Sequence, residues 1–149
     1  NSALSATTNL ETVSNRGHRF AEEISSLPII LGEYSENGEK MDIESFNLRG
    51  GTRKVNAIFE ALGLGDDLMR ARNGRKIRAG KGTMRGRVRR TPKSVLLVVA
   101  NKDGLAKSAR NLPGVDVVAA KDLSAEHLAP GGDLGRLTVF TKAAVEALN

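Results

Sequence analysis

Val95-Leu-Leu-Val-Val-Ala100 is the longest uninterrupted apolar run in the chain. A run with no polar alternation reads as a strand covered on both faces. Three shorter runs have the same character: Leu27-Pro-Ile-Ile-Leu31, closed by Gly32, then Val115 to Val118, and Arg136-Leu-Thr-Val-Phe140. Helical spacing lies between them. Val55, Ile58, Phe59 and Leu62 stand at i, i+3, i+4 and i+7, one face of a helix over 53–62, with Thr52 as its expected N-cap and Gly63 and Gly65 as stops. Shorter helices are expected over 66–72, from an Asp103 cap through Leu105, Ala106 and Ala109, over 123–128, and from a Thr141 cap through Ala144, Val145 and Leu148. Ser2 to Glu11 reads as a short helix, and the polar stretch from Glu33 to Gly51 as mostly connection. From Ser94 onward strands and helices alternate. That order predicts an α/β fold: a mainly parallel sheet of about four strands with helices on both faces, one domain over 1–149.

Charge changes the picture. Between Asp67 and Asp103 there is no acidic residue but there are twelve Lys and Arg. The rest of the chain carries eleven basic and seventeen acidic residues, a net of −6, so the overall +6 hides a strongly cationic segment on a mildly acidic body. Neither helical nor strand periodicity is visible from Arg75 to Arg90, and the segment 70–93 is expected to be an extended, glycine-interrupted basic loop. Twelve uncompensated cations repel one another unless a polyanion neutralises them, which points to nucleic acid. Guanidinium groups pair bidentately with phosphate oxygens, so Arg75, Lys76, Arg78, Lys81, Arg85, Arg87, Arg89 and Arg90 are the candidate contacts. The segment has no aromatic residue for base stacking and no recognition-helix pattern. Phosphate and 2′-hydroxyl contacts to folded RNA therefore fit better than single-strand or major-groove DNA readout. Ile77, Met84 and Val88 could pin the loop to the body or to a sugar face. Arg16, His18 and Arg19 form a second basic cluster that could touch RNA, with His18, between two Arg in a loop, expected to be exposed.

Several classes are disfavoured. With no Cys there is no disulfide, thiolate zinc site or thiol nucleophile. Six apolar residues in a row fall far short of the roughly 20 of a membrane span. The first residues lack the basic start and apolar stretch of a secretion signal, and the chain begins at Asn1, as a processed or partial chain would. Gly80-Lys81 lacks the spacing of a phosphate-binding loop: Gly74 is one residue too far upstream, and Gly82 stands where Ser or Thr should hold magnesium. The turn after Val99 reads ANKDG, without the glycine fingerprint of a dinucleotide site. Glu22-Glu23 and Asp66-Asp67 are adjacent pairs, which diverge on a helix and make no acid/base couple. A small α/β nucleotide- or phosphate-binding enzyme stays as the alternative, allowed by topology alone.

Five strings occur in order: Arg16-Gly-His-Arg-Phe20, Leu27-Pro-Ile-Ile30, Lys76-Ile-Arg-Ala-Gly-Lys-Gly82 with Met84-Arg-Gly-Arg87, Ala109-Arg-Asn-Leu-Pro-Gly-Val-Asp-Val117, and Leu128-Ala-Pro-Gly-Gly132 with Gly135-Arg-Leu-Thr-Val139. Together they resemble the L-four family of large-subunit ribosomal proteins in its archaeal and eukaryotic form, from about Ser2 to Leu148. The resemblance implies a structural, non-enzymatic protein of the cytoplasmic ribosome that binds large-subunit ribosomal RNA. Its implied partners are that RNA and neighbouring ribosomal proteins, with no cofactor, metal, membrane or small-molecule substrate. It also implies RNA contact by the eight loop cations, by Arg16, His18 and Arg19, and by Arg110 and Asn111 if they are not packing residues. The family's tunnel-reaching loop and first strand precede the region matched here, so no tunnel-lining residue is expected in this chain, and its sheet is expected to lack an edge strand.

Overall fold

The structure, a computed structural model, describes residues 2–36, 39–42, 51–102 and 104–148. The first helical stretch is in two pieces, Ser2–Ala6 (α1) and Leu10–Asn15 (α2). The break has a local cause. The hydroxyls of Thr7 and Thr8 donate back to the carbonyls of Leu4 and Ser5 (2.7 and 2.8 Å), and Asn9 then restarts the helix by accepting from the Glu11 and Thr12 amides. Strand β1 (Ile29–Leu31) follows. Glu33–Glu36 (β2) and Glu39–Asp42 (β3) pair antiparallel, where the sequence led us to expect connection. Main-chain pairing holds this hairpin, and polar strands without apolar alternation carry no periodic signal.

Helices α3 (Gly51–Ala61) and α4 (Gly65–Asn73) come next. Because α3 starts at Gly51, Thr52 lies inside it and does not cap it; its hydroxyl instead donates to the Ser108 carbonyl (3.3 Å). The basic segment holds β4 (Lys76–Ile77), α5 (Lys81–Met84) and β5 (Arg89–Arg90). The second half then runs β6 (Leu96–Val99), α6 (Gly104–Ala109), β7 (Asp116–Ala119), α7 (Ala125–Leu128), β8 (Thr138–Thr141) and α8 (Lys142–Leu148), as the alternation predicted. The expected Asp103 cap lies outside the described residues. Thr141 does cap α8, its Oγ1 accepting from the Ala144 amide (3.2 Å).

The main sheet has the order β1-β8-β6-β7, every neighbouring pair parallel. Successive side chains of a strand point to opposite faces, and β6 divides the core accordingly. Leu97, with Val95 and Val99 on its side, packs with Val55, Phe59, Leu68, Leu105 and Val139 beneath α2, α3, α4 and α6. Leu96 and Val98 pack with Val118, Leu128, Phe140 and Ala144 under α7 and α8. Each of these buried Leu, Val and Phe side chains contributes roughly 1.5–3 kcal/mol from burial. Among the described residues no helix is long and apolar enough to cross a membrane.

Gly114 fixes the junction between sheet and basic segment. Its φ is +74°, and a Cβ there would stand 2.4 Å from the Pro92 carbonyl oxygen. Its own carbonyl accepts from the Ser94 amide (2.9 Å) at the start of β6. Gly114→Ala is therefore expected to destabilise the fold by about 1–3 kcal/mol from backbone strain alone, with the Pro92 contact adding to it. A urea midpoint equal to that of the parent chain would contradict this.

Candidate nucleic-acid interface

The extended basic segment is built as a hairpin, with paired strands and a helical turn where the sequence shows no periodicity. Lys76 faces Arg90 and Ile77 faces Arg89 across an antiparallel ladder, and the Arg78 amide donates to the Val88 carbonyl (2.8 Å). At the tip, α5 reverses the chain. The Arg85 amide donates to Lys81 O (3.1 Å), the Arg87 amide to Gly82 O (2.9 Å), and the Thr83 hydroxyl to the Arg78 carbonyl. Short strands and one helical turn leave no room for a repeating pattern, so the sequence gives no sign of them.

All eight candidate cations on this arm are exposed, and none forms an ion pair among the described residues. Ile77, Met84 and Val88 are also exposed, Met84 at 86%, so they do not pin the arm to the body. Compensation is greater than the composition implied. Arg70 pairs with Asp67 (2.8 Å), Lys93 with Asp116 (2.7 Å) and Lys102 with Asp122 (2.6 Å), leaving nine of the twelve cations without an ion pair among the described residues.

Two buried polar nodes hold the arm's root. Asp67 is fully buried, and each of its carboxylate oxygens takes two donors. Oδ1 accepts from Arg70 Nε (2.8 Å) and the Arg19 amide (3.1 Å); Oδ2 accepts from His18 Nδ1 (3.1 Å) and Ser94 Oγ (2.8 Å). A carboxylate only accepts, so His18 Nδ1 carries the proton. Burial alone would raise the Asp67 pKa, but the hydrogen bonds from His18 and Arg70, the positive field of His18 and the Arg19 amide outweigh it and hold it at about 2. Arg70 Nη2 also reaches the Lys93 carbonyl (2.7 Å), so one guanidinium bridges the entry and exit legs.

The second node is Arg136, with no exposed surface. Its Nε donates to Ser94 O (3.1 Å), Nη1 to His127 O (3.0 Å) and Nη2 to Asp116 Oδ2 (2.7 Å), which also receives Lys93 Nζ. Burial lowers the Arg136 pKa while Asp116 opposes the shift. For Asp116, burial works upward, and Lys93 and Arg136 prevail and lower it. Ser94 joins the two nodes, its hydroxyl on one and its carbonyl on the other.

The N-terminal cluster divides. The Arg19 side chain is exposed. His18 is not exposed as expected: only 5% of it is accessible, and it serves Asp67. Arg16 is half-buried, its guanidinium donating to the carbonyls of Pro130 (2.9 Å) and Asp133. Arg110 and Asn111 are exposed at the end of α6.

A cleft of about 570 Å³ runs along the outer edge of β7, lined in part by Lys93, Lys107, Arg110, Asp116 and Arg136. It lacks the glycine turn at a strand's carboxyl end that a nucleotide site in such a sheet uses. Among the described residues no group of three His, Asp or Glu side chains could hold a metal. The enzyme alternative gains nothing from either observation.

Sequence reasoning missed Asp67, Ser94 and Arg136 as the arm's anchors. A signal existed for Asp67. Leu64, Leu68 and Ala71 form a buried stripe, and Asp67 lies within it, three residues after Leu64 and four before Ala71. An acid in an apolar stripe needs buried partners. Arg136 offers no comparable sign.

Comparison with known proteins places this geometry in context. The family model described as "Ribosomal protein L4/L1 family" matches residues 1–149. The large ribosomal subunit protein uL4 of Methanocaldococcus jannaschii is 51% identical over 147 residues, covering 99% of this chain and 53% of that protein. Its counterpart in Methanococcus aeolicus is 45% identical over 148 residues, 99% of this chain and 54% of the relative. The Halobacterium salinarum protein is 42% identical over 144 residues, 97% and 53% respectively. The chain thus spans about half the length of the curated relatives it matches.

Proposed function

This chain belongs to the ribosomal protein L4/L1 family, and from that premise we propose that it is a non-catalytic structural component of the large ribosomal subunit, gripping large-subunit ribosomal RNA with its basic hairpin. One observation carries the reading: eight exposed cations on a single arm, none in an ion pair among the described residues, mounted on a root where Arg70, Lys93 and Arg136 are each paired with an aspartate. The relatives' shared name, large ribosomal subunit protein, supports the location: the ribosome, hence the cytoplasm.

The mechanism is phosphate neutralisation. RNA segments repel where they converge, and Arg75, Lys76, Arg78, Lys81, Arg85, Arg87, Arg89 and Arg90 supply the countercharge that lets them approach. Arg19, exposed and tied by its amide to Asp67 at the root, is a further candidate contact. The acidic body suits solvent or neighbouring ribosomal proteins.

Replacing Arg85, Arg87 and Arg89 together by Ala is expected to weaken binding to a structured large-subunit rRNA fragment with little effect on melting, since all three side chains are exposed. Filter binding and thermal unfolding on the same variant check this. Early melting with intact affinity would make the three residues structural and defeat the reading.

A further inference from the structure

We infer that one face of the hairpin is a built cradle for a single RNA backbone phosphodiester, held by Lys76, Arg78, Arg87 and Arg90. The inference rests on the arm's being the RNA-binding element and adds which of its cations act together, and on what.

The four line one hollow of about 540 Å³ within the arm, with Ile77, Ala79 and Gly82 completing its wall; Arg75, Lys81, Arg85 and Arg89 lie outside it. The pairing explains the convergence. Residues directly opposite in a ladder share a face, as do residues two apart in one strand. Lys76 faces Arg90 across the ladder, and Arg78 follows Lys76 by two. Arg87 joins them from the return leg, beyond the two paired residues, where the main chain is tied by the Arg87 amide to Gly82 O, and it lines the same hollow. The arm is therefore no uniform brush: half of its eight candidate cations surround one space.

A second observation points to an anion there. Like charges directly opposite on two strands destabilise the pair, and a two-stranded hairpin is marginal in water without other support. This hairpin nonetheless sets Lys76 against Arg90 in a ladder of two residue pairs, and no acidic group among the described residues answers either. An anion in the hollow converts that repulsion into attraction. Three guanidinium groups with planar donor forks and one ammonium suit the non-bridging oxygens of a phosphate.

The test compares equal losses of charge in the full chain. Arg78→Ala with Arg87→Ala removes two cradle cations; Lys81→Ala with Arg85→Ala removes two that lie outside. At about 150 mM salt, where unspecific attraction is partly screened, the cradle pair is expected to weaken binding to a structured large-subunit rRNA fragment about tenfold more than the other pair. Equal losses overturn the cradle. A second arm uses inorganic phosphate alone, titrated into the free protein while the Arg side-chain Nε–H signals are followed by NMR. Shifts at Arg78, Arg87 and Arg90 ahead of Arg75, Arg85 and Arg89 support the cradle; uniform shifts overturn it. The two readings fail separately. Selective phosphate shifts without RNA binding leave the cradle and remove the RNA reading. Normal RNA binding with equal losses and uniform shifts does the reverse.

Discussion

Raising monovalent salt from about 50 to about 200 mM is expected to weaken binding to a structured large-subunit rRNA fragment by roughly three orders of magnitude or more. Eight exposed cations can meet about six to eight phosphates, and each neutralised phosphate releases condensed counterions. The slope of log K against log salt should then be on the order of −5 to −7. The arm favours a steep slope because its cations form no ion pairs among the described residues. The contrast within the segment sharpens the expectation. Lys102 is paired with Asp122, so Lys102→Ala should leave the slope nearly unchanged, while the loss of Arg85, Arg87 and Arg89 should flatten it by up to about three. Affinities measured by fluorescence anisotropy at five or six salt concentrations decide the matter. A flat salt dependence would exclude phosphate neutralisation as the source of affinity.

Asp67→Ala should cost about 3–5 kcal/mol of folding stability, because it strands the polar groups that converge on a buried carboxylate. Against a total stability of about 5–15 kcal/mol, that is a large fraction. His18 Nδ1, Ser94 Oγ and the Arg19 amide would lose their common acceptor, and Arg70 its ion pair. Urea unfolding gives the loss; hydrogen exchange at the Arg19 amide reports the node directly. A loss under about 1 kcal/mol would mean the node contributes no more than a surface pair. The same residue sets an acid limit. Its folded pKa, about 2, lies below the ordinary 3.8, so its contribution is fully present above pH 3.8 and disappears as pH falls through about 2. The linked stability is about 2 kcal/mol. Asp67→Asn should remove that acid-dependent component, which unfolding curves between about pH 5 and pH 2 would reveal.

Both predictions concern one assembly. The hairpin meets the body where Arg70 bridges to the Lys93 carbonyl and Ser94 is held from two sides by Asp67 and Arg136. At the root Arg70, Lys93 and Arg136 are each paired with an aspartate; the eight cations along the arm have no ion pair among the described residues. A firm base under an uncompensated cationic hairpin suits a protein that must present charge in a set direction.

Much of this was legible along the chain. The unbroken apolar run of β6, the i, i+3, i+4, i+7 stripe of α3 and the Thr141 cap of α8 are local features. Local chain geometry turns each of them into a buried strand, a helix face and a helix start, so the parallel α/β architecture follows from their order. The cationic segment was equally legible, since charge density along the sequence needs no fold to be counted. What only the tertiary structure decided was the partner of each polar group. Asp67 meets His18 from 49 positions away and Ser94 from 27, and Arg136 meets Asp116 from 20. No spacing rule relates residues on separate elements. Folding thus turned His18 from an expected surface group into an internal one, tied the half-buried Arg16 to main-chain carbonyls, withdrew Arg70, Lys93 and Lys102 from the free cations, and gave the basic segment a paired hairpin. Periodicity reports which way a side chain points along its own helix or strand; whether a charge is answered depends on what the packed chain brings within about 3 Å of it.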